Sequence, residues 1–173
     1  VVEGVAPSDP TNPDYSVRVT WVPIEVNAQH GNGLLYNILT DGDDIIYTGP
    51  GVHGKQHDIK GLNPYLNLTL KIQACVLDGC GNSLCGNPSP VATGMSTAGP
   101  PSQMLAPAVK SLGSKVVSVN WDAPKSMNGP FFEYRIRRDP GSVVVYDGQS
   151  TSFEDNGVEP KTLYITIRWF NIN

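Results

Sequence analysis

Val17-Arg18-Val19-Thr20-Trp21 and Val117-Ser118-Val119-Asn120-Trp121 decide the reading of this chain. In each stretch the apolar residues alternate with polar ones, the period-2 pattern of a strand with one buried face. The second copy follows the first by 100 residues, and three further landmarks recur in the same order. Tyr36-Asn37-Ile38 returns as Tyr134-Arg135-Ile136, and Ile45-Ile46-Tyr47-Thr48-Gly49 as Val144-Val145-Tyr146-Asp147-Gly148. Leu62-Asn63-Pro64 returns as Val158-Glu159-Pro160. Their offsets of 98, 99 and 96 residues are nearly constant, so the chain is read as two copies of one module.

The residues between these landmarks favour short strands. Gly (18) and Pro (15) make up 33 of 173 residues, about 19% against roughly 12% in average usage. Asn32-Gly33 and Asn128-Gly129 are turn dipeptides directly before apolar runs, and Pro23, Pro50, Pro64, Pro124, Pro130 and Pro160 punctuate the chain outside them. No stretch holds a 3.6-residue apolar period over three turns. Short strands with frequent turn signals predict an all-β chain of sandwich or barrel modules. Ala98-Gly99-Pro100-Pro101-Ser102 has no side chain large enough to build a core. Its two prolines predict a short, semi-rigid joint over 98–102, between domains at 1–97 and 103–173.

Composition removes several classes of function. Twelve basic against sixteen acidic residues, a net charge of −4, lacks the basic footprint expected for nucleic acid. No apolar run approaches the roughly 18–20 residues that span a bilayer, so no direct membrane insertion is expected in this segment. The opening on Val1, without a signal sequence, reads as a mature or internal piece of a longer protein. No nucleophile with an orienting base and no G-x-S-x-G elbow is found, so no catalytic residue, cofactor or enzyme activity is expected.

Gly49-Pro50-Gly51-Val52-His53-Gly54 matches a dinucleotide fingerprint literally. Lys55 to Lys60 show no helical face to follow it, so an inter-strand turn is the simpler reading. His53 and His57 have helical ligand spacing, but on a strand four residues span about 13 Å, so no metal is expected there. Asp41-Gly42-Asp43-Asp44 reads as a hairpin turn. Arg135, Arg137, Arg138 and Arg168 should fall on adjacent strands, as a solvated face or as a contact for an acidic partner.

Cys75, Cys80 and Cys85 sit at five-residue intervals around an expected hairpin. Without a fourth ligand they cannot form a zinc site. Cys75–Cys80 would staple the hairpin with about 2–3 kcal/mol. Cys75–Cys85 is symmetric about the same turn, and either pairing implies an oxidising compartment. Asn67-Leu68-Thr69 is the usable glycosylation sequon, Asn87-Pro88-Ser89 being spoiled by its proline. By strand parity Asn67 points away from Leu68, toward solvent.

Taken together, the Trp after alternating valines, the Asn-Gly before a Tyr-x-Ile strand, the Leu-x-Pro or Val-x-Pro before the sixth strand and the Pro-Pro joint resemble tandem fibronectin type III domains. The resemblance implies two immunoglobulin-like β-sandwiches with structural centres at Trp21 and Trp121. Val158-Glu159-Pro160-Lys161-Thr162-Leu163-Tyr164 is similar to the family's loop before a tyrosine corner, which assigns that role to Tyr164. The first module has Leu68 at that position. Beyond Tyr164 the family's inward positions would be Thr166, Arg168 and Phe170, whereas the apolar side is Ile165, Ile167 and Trp169. Either a bulge resets the phase or the strand packs differently. The chain stops at Asn173, before a seventh strand could form, so the second sandwich is expected to lack its last strand.

Ala74-Cys75-Val76-Leu77-Asp78-Gly79-Cys80 resembles the end of the sixth strand in a subgroup of the family's repeats, carried by very large cell-surface proteins. That resemblance favours Cys75–Cys80 as the disulfide and strengthens Asn67 as a glycosylation site. It implies non-catalytic adhesion or spacer modules of a multi-repeat, membrane-anchored glycoprotein, linking cell surfaces to each other or to basement membrane. The partners would be other extracellular or cell-surface proteins. The alternative is an ectodomain segment of a receptor tyrosine phosphatase or receptor kinase.

Overall fold

The computed structural model describes residues 1–9, 13–24, 33–50, 55–139 and 142–159, together with the backbone of 163–171. The chain divides into two compact units, Val1–Thr97 and Ala98–Asn173. All regular structure among the described residues is antiparallel sheet.

In the first unit β1 (Val2–Val5), β2 (Tyr15–Thr20) and β5 (Gln56–Leu62) form one sheet, in the order β1-β2-β5. The facing sheet contains β3 (Leu34–Thr40), β4 (Ile45–Pro50), β6 (Asn67–Leu77), β7 (Ser83–Cys85) and β8 (Ala92–Met95). Its order is β4-β3-β6, with β7 and β8 both paired to the far side of β6. Val17 and Val19 are buried, as the alternation predicts, and Val19 packs with Ile38 and Leu70 between the sheets. Full burial of such a side chain contributes about 1.5–3 kcal/mol.

The last strand of this sheet is broken for a chemical reason. Pro88 and Pro90 have no N–H to donate to a ladder. The chain leaves β6 after Cys85 and rejoins it at Ala92. Between them the Gly86 N–H donates to the Ala74 carbonyl at 3.0 Å and the Ser89 N–H to the Ile72 carbonyl at 2.8 Å. The Ser89 hydroxyl accepts from the Ile72 N–H at 3.0 Å. These bonds substitute for missing ladder bonds along the edge of β6.

The second unit repeats the plan. β9 (Ala108–Ser111), β10 (Val117–Asn120) and β13 (Ser152–Asp155) form one sheet, in the order β13-β10-β9. β11 (Phe131–Asp139), β12 (Val143–Gly148) and β14 (Leu163–Asn171) form the other, in the order β12-β11-β14. Val119, Trp121, Tyr134 and Ile136 make its core. Each unit carries a β-bulge at the same place in the matching hairpin, Ile46 of β4 opposite Ile38/Leu39 and Val145 of β12 opposite Ile136/Arg137.

Two expectations are refined. The register of β14 against β11 steps from Thr166 opposite Arg137 to Tyr164 opposite Arg138, so Ile165 is the extra residue of a bulge. The bulge resets the phase directly after Tyr164 and brings Ile167 into register with Ile136 and Trp169 with Tyr134. The Pro-Pro stretch is fastened to the second unit. Gly99 and Ser102 donate their N–H groups to the carbonyls of Asn128 and Ser126, at 2.8 and 2.9 Å. The Asn128 side-chain amide donates to the Pro100 carbonyl at 2.7 Å.

Candidate functional site

The chemically distinctive region is the outer face and tip of the β6–β7 hairpin. Cys75 on β6 lies directly opposite Cys85 on β7, with Cα atoms 4.0 Å apart, and the two form a disulfide. The favoured pairing of Cys75 with Cys80 is therefore corrected. β6 continues two residues past Cys75 before the turn begins, at about 3.3 Å per residue. Cys80 thus sits at the tip, exposed and free, while Cys85 returns to face Cys75 across the ladder.

Asp78 organises that tip. Its carboxylate accepts from the Cys80 N–H at 2.8 Å, the Asn82 N–H at 2.7 Å and the Asn82 side-chain amide at 2.9 Å. These bonds, the Asn82 side chain first, hold the Asp78 carboxyl below the usual aspartate range. Gly81 takes a positive φ of 86°, a conformation that L side chains rarely adopt.

Behind the disulfide runs a polar ladder that the sequence reading did not anticipate. Asn37 is only 4% exposed in the middle of β3. Its amide donates to Gln73 Oε1 at 3.2 Å and to Cys75 Sγ at 3.3 Å, and its carbonyl accepts from the Thr48 hydroxyl at 2.8 Å. Gln73 in turn donates to the Gly86 carbonyl at 2.9 Å. The ladder crosses β4, β3 and β6 and ends on the chain just after β7. Its one sequence signal is a lone Asn inside the apolar run Leu34-Leu35-Tyr36-Asn37-Ile38-Leu39.

The remaining predicted residues distribute as follows. Trp21 packs on Tyr36 with ring centroids 5.4 Å apart, and Trp121 on Tyr134 and Tyr146 at 5.6 and 5.7 Å. Leu68 packs against the core of the first unit, where the family's tyrosine would fall. Tyr164 has its backbone on β14, and its side chain lies outside the described residues, as does that of Arg168. Asn67 is the exposed first residue of β6. His57 stacks on Tyr47 with centroids 3.5 Å apart, whereas His53 and residues 51–54 lie outside the described residues. Asp41–Asp44 form the β3–β4 turn, with Lys71 Nζ 2.9 Å from Asp43.

The arginines do not form one free basic face. Arg135 contacts Glu133 at 2.8 Å and Asp147 at 3.0 Å, and Arg138 contacts Asp155 at 3.0 Å. Desolvation, then Asp147, raises the Glu133 carboxyl above its ordinary range. In the first unit Arg18 and Asp58 make a two-pronged pair at 2.7 and 2.8 Å across β2 and β5, and the Arg18 hydrogen bond lowers the Asp58 carboxyl. A cleft of about 440 Å³ opens between the sheets of this unit, lined by Val2, Val19, Trp21, Tyr36, Leu70 and Pro90. Among the described residues no three His, Cys, Asp or Glu gather to hold a metal, and no helix is long and apolar enough to cross a membrane.

Comparison with known proteins adds kinship to this geometry. Rat usherin is 30% identical over 130 residues, 75% of the chain, and human usherin 26% identical over 138 residues, 79% of the chain. Mouse fibronectin type III domain containing protein 3C1 is 26% identical over 155 residues, 86% of the chain. Both units are fibronectin type III domains. The chain spans about 2% of the length of usherin and 11% of the mouse 3C1 protein. The FN1–FN3 domains of chicken CNTN1 align with 99% of this chain and 58% of their own, at 21% identity and a TM-score of 0.37. No family model matches the chain.

Proposed function

We propose that this chain is a segment of a large, usherin-like extracellular protein in which its fibronectin type III domains serve as non-catalytic spacers and docking modules. The observation that carries this reading is the similarity to usherin over three quarters of the chain. The Cys75–Cys85 bond agrees with it, because such bonds persist in oxidising compartments. The partners would be other extracellular or cell-surface proteins, met through the sheet faces and loops. Part of the same proposal is that residues 1–97 and 103–173 are separate modules and that 98–102 sets the spacing between them.

The test is to display the secreted chain on a surface and measure attachment of cells and of purified extracellular matrix proteins. Saturable attachment that soluble chain competes away supports the reading. Retention of the natural protein in the cytosol with all three cysteines reduced would overturn it.

A further inference from the structure

We infer that Asn67 carries an N-linked glycan, placed on the outer face of the first domain at the start of β6. The inference rests on the secretory reading above, and its geometry is independent of it. Asn67 is exposed, and its side chain has no hydrogen-bond partner among the described residues. Leu68, next to it, packs into the core and fixes the opposite orientation for Asn67 and Thr69. Both residues of the sequon therefore share the outer face of the sheet, with neither polar side chain committed elsewhere. Asn67 pairs in register with Met95 on β8. Directly opposed residues share a face with Cβ atoms about 4.5–5.5 Å apart, so a sugar on Asn67 would lie over Met95, an apolar side chain 40% exposed.

The chemistry is a transfer from a polyprenyl-pyrophosphate-linked oligosaccharide of the secretory lumen. A bond forms between Asn67 Nδ2 and the sugar's anomeric carbon. The bond from that carbon to the pyrophosphate oxygen breaks, the amide gives up one proton, and the lipid pyrophosphate leaves. Register also orders the event in time. β8 lies some 25 residues downstream of Asn67. During translocation the sequon enters the lumen as an extended segment before Met95, still further back in the chain, can follow and pair with it. Attachment then belongs to the nascent chain.

The experiment places a cleavable secretory signal before Val1, translates the chain in the presence of microsomes and separately secretes it from eukaryotic cells. In both, peptide N-glycosidase treatment in heavy-oxygen water marks formerly glycosylated Asn as labelled Asp. Labelled Asp is expected at position 67, in wild type and in Thr69→Ser. It should be absent in Thr69→Ala and Asn67→Gln. Because the microsomal arm reads attachment before folding is complete, a variant that folds poorly still reports. A bare Asn67 in chains whose Cys75–Cys85 bond has formed overturns the glycan and leaves the extracellular reading intact. A bare Asn67 in secreted chains with reduced cysteines counts against both. Attachment only when microsomes are added after synthesis overturns the proposed order.

Discussion

The two domains share an apolar skeleton and differ in what fastens it. Val19 and Val119, Trp21 and Trp121, Tyr36 and Tyr134, and Ile38 and Ile136 occupy matching places. Even the indole N–H groups of both tryptophans are buried without a hydrogen-bond partner, a cost of roughly 1–3 kcal/mol that packing must offset in each. The fasteners diverge. The first domain uses the Cys75–Cys85 bond, the Asn37 ladder and the Arg18–Asp58 pair. The second, lacking cysteine, joins β11 to β13 through Arg138, which contacts Asp155 and donates to the Gly157 carbonyl at 2.9 Å. His57 stacks on Tyr47 where Phe153 packs on Tyr146. Positions between the two sheets accept only apolar residues of suitable shape, so they recur. The fasteners lie outside those two apolar clusters, where several polar or covalent solutions can hold the strands, so they vary.

The largest expected effect breaks the shared skeleton on one side. Trp121 is 6% exposed and meets two tyrosines, so Trp121→Ala should cost the second domain about 3–5 kcal/mol. Trp21 meets one tyrosine and is less buried, and Trp21→Ala should cost the first domain less. Thermal unfolding of each variant should move one transition and leave the other in place. Next comes the disulfide. Replacing Cys75 and Cys85 together by Ala should remove about 2–3 kcal/mol from the first domain, by the loop-closure estimate for so short a loop. Cys80→Ser should leave its denaturant midpoint unchanged.

Asn37→Ala is expected to cost about 1 kcal/mol, because it removes the bonds to Gln73 and Thr48, whose freed groups water can reach. A urea titration of the first domain would show it, and a cost near zero would mean that water replaces the ladder. The smallest effect is the response to acid, where the domains should diverge in sign. Asp58 and Asp78 have lowered folded values. Their contribution is complete above the ordinary aspartate pKa of about 3.9 and is lost as pH falls through the folded values. Glu133 has a raised folded value. Its ionisation therefore costs the second domain stability at neutral pH, and that cost is relieved as pH falls through the raised value. Asp58→Asn should flatten the acid dependence of the first transition, and Glu133→Gln that of the second.

Much of the skeleton was legible because burial writes itself into sequence as alternation. Val17-x-Val19-x-Trp21 and its copy pointed to two antiparallel sandwiches, while the phase conflict after Tyr164 left a bulge and a differently packed strand as alternatives, between which the register at Ile165 decides. The fasteners were less legible, since each depends on where a strand stops. Spacing alone left Cys80 and Cys85 as rival partners of Cys75. The continuation of β6 to Leu77 separates them. The break between β7 and β8 follows from Pro88 and Pro90, yet only the structure shows Ser89 supplying the missing bonds. Asn37 looked like an ordinary polar residue in a strand, and its role depends on Thr48 and Gln73, distant in sequence and adjacent in register.

The central claim is that the first domain is an extracellular fibronectin type III module closed by Cys75–Cys85. A non-reducing digest of the secreted chain that cuts after Leu77 and Leu84 puts the three cysteines on separate peptides. Mass spectrometry should find the Cys75 and Cys85 peptides linked and Cys80 as a free thiol. A link from Cys75 to Cys80, or three free thiols, would contradict the account.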